Sequence, residues 1–163
     1  MPNASDRSIG GAPRTSQIAM FTILNVFMRL LLRSPLHGVL SGNTLLISFT
    51  GKSSGKRYVV PVSYMQDGST VTCFTAARWW KNLRGDAPVT LRLRGKDVAG
   101  TAQVEAQDKD AVAQGLSTFL QRVRRDAGFY RVTMDPSGVP EWEDVVRAAQ
   151  RNVMIRIDLS AAP

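Results

Sequence analysis

The heptapeptide Gly51-Lys52-Ser53-Ser54-Gly55-Lys56-Arg57 concentrates the groups that hold an anion. Its two glycines reach backbone conformations closed to other residues and let the chain approach a ligand closely. Successive backbone N–H groups in such a turn form an anion-binding concavity. Lys52, Lys56 and Arg57 add positive charge, and Ser53 and Ser54 add hydroxyl donors. Each of these types suits a phosphate. The GxxxxGK(S/T) spacing of a Walker loop is absent, and no helical pattern follows. Taken alone, the segment reads equally well as a phosphate cradle or as a solvated basic hairpin turn.

A second stretch is Thr75-Ala76-Ala77-Arg78-Trp79-Trp80-Lys81-Asn82-Leu83. Small residues at a strand end leave room for a ring system. Adjacent Trp79 and Trp80 point in different directions on a helical turn, one toward the core and one toward a pocket. Asn82 lies three residues after Trp79 and shares its face. Its amide suits ring carbonyls or a ribityl chain. The plainer alternative is a packed tryptophan pair with a capping asparagine, and on these residues alone it leads. Cys73 and His37 are each the sole residue of their kind. That excludes a disulfide framework, a thiolate cluster and a multi-histidine zinc site. His37, after Ser34-Pro35-Leu36, reads as a surface or packing residue.

The elements that must carry these stretches follow from periodicity. The chain of 163 residues has room for one domain with a real core. Its net charge of +8 implies an anionic partner without saying which. Residues 1–15, rich in Ser, Gly, Pro and Ala, read as a disordered tail, and residues 16–163 as a single domain. No secretory signal is evident, so a cytoplasmic location is expected. Residues 17–33 read as a helix with a broad apolar face, to be packed on the domain or a twin subunit, then laid in a membrane interface, and last of the three spanning a membrane. Strands are expected over 44–50, 58–65, 71–75, 89–94, 98–104 and 153–159, from alternation of apolar and polar residues. Pro61 assigns the second to an edge or a bulge. Asp67-Gly68 is a hairpin turn. Residues 78–84 make one or two helical turns. Helices are expected over 108–126, ended by Gly128, and from Pro140 through Ala149. A small barrel is the natural closure of such a sheet.

Together these residues resemble a known family. The run over residues 45–60, with Gly-Lys-Ser-Ser-Gly-Lys-Arg and then Pro61-Val62, precedes Asp67-Gly68, Trp79-x-x-Asn82-Leu83, Ala87-Pro88-Val89 and a basic strand. That order is similar to the deazaflavin (coenzyme F-420)-dependent nitroreductase and quinone reductase family. Its split β-barrel is shared with flavin reductases and pyridoxamine-phosphate oxidases. The resemblance covers residues 36–105 well and the closing strand loosely.

The resemblance implies an α+β, mainly β fold: a split β-barrel of about six mostly antiparallel strands, an N-terminal helix and two C-terminal helices. It implies that Lys52, Ser53, Ser54 and Gly55 hold a cofactor phosphate, with Lys56, Arg57 and Tyr58 adjoining. It places Pro61 against the deazaflavin ring, Thr75 and Ala76 along the ring edge, and Trp79 and Asn82 in cofactor contact. The implied reaction passes a hydride between reduced coenzyme F-420 and a quinone, activated alkene or nitro-aromatic acceptor. A homodimer is implied as well. Two departures keep flavin mononucleotide (FMN) as an alternative cofactor. The loop before the Trp turn is short, with Arg78 the candidate for a missing lysine, and Tyr58 stands where an arginine is frequent. An FMN-binding reductase and a non-catalytic cofactor or lipid carrier are the competing functions. No catalytic residue is singled out, although Tyr58, Tyr64 and Tyr130 are candidate proton donors. No nucleic acid partner is expected, because aromatics do not interleave along the basic strand.

Overall fold

Alternation of buried with more exposed residues in the first and fifth strands fixes which side of the sheet faces inward. On the first strand Leu45, Ile47 and Phe49 are buried, and on the fifth Ala87, Val89, Leu91 and Leu93 are. A computed structural model of the protein describes residues 43–160. The tail over 1–15, the helix over 17–33 and His37 lie outside the described residues.

Seven strands appear where six were expected: β1 (Thr44–Thr50), β2 (Arg57–Ser63), β3 (Met65–Asp67), β4 (Thr70–Thr75), β5 (Ala87–Leu93), β6 (Lys96–Glu105) and β7 (Val153–Leu159). They form one antiparallel sheet in the order β2-β1-β5-β6-β7-β4-β3. The extra strand comes from dividing the expected run 58–65 at Tyr64. The first part pairs with β1 and the second with β4. At the junction Tyr64 N–H donates to the Asn43 carbonyl at 2.9 Å. The two edge strands are therefore consecutive in the chain, and the sheet curls back on itself as a half-barrel. Pro61 sits on edge strand β2, where its missing donor is not needed.

The inward face holds one core, with Ile47, Val71, Cys73, Leu91, Ile155 and Ile157 at its centre. The outward face of β4 and β7 carries a second. There Phe74 and Met154 meet α1 (Lys109–Arg122), α2 (Ala127–Tyr130) and α3 (Trp142–Arg151). Gly115 lets α1 come close, since a Cβ there would stand 2.6 Å from Met154 Sδ and 3.3 Å from the Phe74 ring.

The helical segments differ from expectation in three ways. The helix expected over 108–126 ends at Arg122, because Val123 leaves helical geometry (φ −117°, ψ 60°) and a 3-10 turn follows over Arg124–Asp126. Gly128 does not end a helix but lies inside α2; the left-handed cap is Arg131 at φ 58°. Pro140 stays outside α3, paired with Met134, while Glu141 N–H is taken by the Thr133 carbonyl at 2.8 Å. The helix therefore starts at Trp142, and three C-terminal helices replace two.

Candidate functional site

The segment over residues 51–56 joins β1 to β2 and closes on itself through the backbone. Gly51 N–H donates to the Lys56 carbonyl and Gly55 N–H to the Gly51 carbonyl, each at 2.8 Å. Gly55 takes φ 64°, a left-handed conformation that favours glycine. Gly51 is needed for a different reason. A Cβ there would stand 2.6 Å from both Ser54 Oγ and the Tyr58 ring. The Ser54 hydroxyl lies 3.0 Å from the Tyr58 hydroxyl and accepts from Lys56 N–H at 3.3 Å.

Across from this loop lies the expected one-to-two-turn helix, a 3-10 turn over Arg78–Leu83. It touches β1, β5 and β6, and Leu83 enters the inward core. It thus lies across one end of the barrel, rooted at Thr75 on β4. The Thr75 hydroxyl starts it by accepting from Ala77 N–H at 3.1 Å. Six residues of 3-10 helix advance roughly 12 Å at about 2.0 Å each. That length carries Asn82 to the loop. Asn82 Oδ1 accepts from Lys52 N–H at 3.0 Å, and its Nδ2 donates to the Trp79 carbonyl at 3.0 Å. Lys52 Nζ donates to the Arg84 carbonyl just past the turn.

Aromatic rings line the same corner. Trp79 stacks on Phe49, with centroids 5.6 Å apart and planes at 24°, and Phe49 stacks on Tyr58 at 5.7 Å. Trp80 instead carries the Arg84 guanidinium 4.6 Å above its ring. Both tryptophans pack against the core and remain half-buried. The loop supplies Ser53, Ser54, Lys56 and Arg57, all exposed and followed by half-buried Tyr58. Among the described residues, Lys56, Arg57 and Arg78 take part in no ion pair.

The expected residues are therefore brought together in part. Lys52, Ser53, Ser54, Gly55, Lys56, Arg57, Tyr58, Trp79 and Asn82 share one corner. Thr75 and Ala76 begin the 3-10 turn at its other end, and Arg78 is exposed there. Pro61 follows the outward set of β2 with Val59, whereas Tyr58 is on the inward set with Phe49. Of the three tyrosines only Tyr58 adjoins the loop. Tyr64 is in the inward core, and Tyr130 is in the helix-side core with its hydroxyl donating to the Phe74 carbonyl at 3.3 Å. Burial, then the nearby Cys73 and Asp126 charges, push Tyr130 far above the usual phenol range. Burial alone pushes the Cys73 thiol up to about 12, so it is inert as a nucleophile. Phe49 and Arg84 were missed by the sequence reading. Alternation marks Phe49 only as core, and a carbonyl acceptor leaves no trace in residue type. A groove of about 580 Å³ between α1 and the outward face of β4 and β7, lined by Thr72, Gln114 and Arg156 among others, includes no residue of this corner.

No protein-family model matches the chain, and no curated protein matches it. Solved structures do. A protein from Bacteroides thetaiotaomicron, described as a candidate 5-nitroimidazole antibiotic resistance protein, superposes with a TM-score of 0.50 at 11% identity, over 75% of each chain. An FAD-binding protein from Mesorhizobium loti gives a TM-score of 0.49 at 14% identity, over 78% of this chain and 90% of that one. An F420 reductase gives 0.46 at 12% identity, over 73% and 87%. At 11% identity the likeness to the Bacteroides thetaiotaomicron protein extends to the fold alone.

Proposed function

We propose that this chain is an oxidoreductase built around a phosphate-bearing flavin-type cofactor, with coenzyme F-420 the leading candidate. The observation that carries the reading is the meeting of the 51–57 loop with the Trp79–Asn82 turn through the Lys52–Asn82 bond. The residues present fit a phosphate. Residues 51–58 hold three cations and two serine hydroxyls and no carboxylate. Ser53, Ser54, Lys56 and Arg57 bind the phosphate by charge-assisted and neutral hydrogen bonds. Half-buried Tyr58 and Trp79, each stacked on buried Phe49, offer aromatic surface suited to a planar ring. A flavin-type cofactor held there would supply hydride-transfer chemistry toward a quinone, activated alkene or nitro-aromatic acceptor. Tyr58 is the tyrosine placed to hold a proton at its hydroxyl, which Ser54 orients.

FMN is the second reading, and Tyr58 favours it. The position offers a hydroxyl already tied to Ser54 instead of a further cation. A ligand with one phosphate needs fewer cations than one with a longer anionic tail. Spectral titration of the purified protein with coenzyme F-420 and with FMN, side by side, tests both. Tighter binding of the deazaflavin is the expected result. Binding of FMN alone replaces the cofactor and keeps the class, and binding of neither overturns the proposal.

A further inference from the structure

We infer that Asn82 is a positioning residue, one that holds the anion loop against the aromatic turn and does not itself touch the ligand. The inference rests on the flavin-type reading above. Each end of the Asn82 carboxamide holds one bond inside the chain, Oδ1 accepting from Lys52 N–H and Nδ2 donating to the Trp79 carbonyl. The two partners also fix which atom is which. Exchanging oxygen and nitrogen would set a donor against the Lys52 N–H and an acceptor against the Trp79 carbonyl. Lys52 strengthens the same junction through its ammonium and the Arg84 carbonyl. Loop and turn are thus clasped at two points.

The clasp has consequences on both sides. On the loop side, Lys52 follows Gly51, whose N–H and carbonyl both close the loop. Ser53 and Ser54 come directly after the anchored residue, so the aim of their N–H groups depends on it. On the turn side, Asn82 holds the Trp79 carbonyl, and Trp79 stacks on Phe49. The phosphate half and the ring half of the site therefore share one frame, and occupancy of one is coupled to order in the other. A site built this way favours ligands that carry ring and phosphate together over either part alone.

The test compares FMN with riboflavin, and in parallel coenzyme F-420 with its phosphate-free deazaflavin core, in wild type and Asn82→Ala. A positioning role predicts that Asn82→Ala weakens the phosphorylated member about tenfold more than the phosphate-free member, because the ring half keeps its stack on Phe49 while the loop loses its anchor. If Asn82 touches the ring, both members weaken equally and the preference survives, which overturns the inference. Hydrogen exchange on unliganded wild type needs no variant. The Lys52 amide is expected to be protected beside freely exchanging Ser53 and Ser54. Exchange of Lys52 as fast as its neighbours removes the clasp whichever ligand binds. Protection without binding of any of the four compounds retires the flavin reading and supports the clasp.

Discussion

Phe119 and Lys56 stand in opposite surroundings. Phe119, on α1, is fully buried, with the Phe74 ring 5.4 Å away and the Tyr130 ring 6.1 Å away. Lys56 is exposed and meets no carboxylate among the described residues. The helix layer is held by apolar packing, which is strong, non-directional and indifferent to charge. The loop itself is held to the turn by a few hydrogen bonds, each worth only about 0.5–1.5 kcal/mol net. Stability thus rests on the helix layer, and the proposed function puts recognition in the other region. A loop that contributes little to the fold is free to keep cations without internal partners.

The comparison breaks if the helix layer proves dispensable. Phe119→Ala removes a fully buried ring and is expected to cost about 3–5 kcal/mol of unfolding free energy. Denaturant titration reads this directly. At a temperature where the variant stays folded, its cofactor affinity should lie within about twofold of wild type, since additivity holds for distant sites. A large loss of affinity in the folded variant would show that the two regions are not separable.

The reciprocal change should invert the pattern. Replacing Lys56 and Arg57 together by alanine touches exposed side chains only, and is expected to shift stability by no more than about 0.5 kcal/mol. Affinity for the phosphorylated cofactor should fall at least tenfold, since each hydrogen bond to a charged group contributes about 1.5–3 kcal/mol. The deficit should shrink as salt rises, because exposed charges are screened. Equal binding of FMN by wild type and variant at low salt would assign the phosphate elsewhere.

These two regions were also unequally legible in the sequence. Alternation exposes β1 and β5, because one face of each is buried and period-two patterns have few competing explanations. The division at Tyr64 leaves no such mark. Tyrosine suits a strand, and only the change of partner from β1 to β4 separates β2 from β3. Gly128 misled for a related reason: glycine permits a left-handed cap without requiring one, and Arg131 takes that conformation instead. At the corner, Gly51, Gly55 and the basic residues by type alone left the choice between an anion loop and a solvated basic turn even. The Lys52–Asn82 bond could not be read, since it uses a backbone N–H and a partner thirty residues away. Phe49 was legible as core but not as the ring that joins Tyr58 to Trp79.

The smallest expected effect concerns acid. Asp135 and Asp144 fasten the segment between α2 and α3. The Ser137 hydroxyl at 2.7 Å, then Val139 N–H at 2.8 Å, hold the Asp135 carboxyl below the usual carboxylate range. Thr133, first through its N–H at 3.0 Å, and then Arg147 do the same for Asp144. Both carboxyls bind protons less readily folded than unfolded. Their contribution is therefore complete above the ordinary carboxylate range and fades as pH falls through the lowered values. Residues 51–57 contain no carboxylate and have nothing to protonate there. Hydrogen-exchange protection factors at the Thr133 and Val139 amides should drop between about pH 6 and pH 3, while that of Lys52 holds. A parallel loss at all three amides would mean that acid loosens the molecule as a whole and that the two regions do not part along this line.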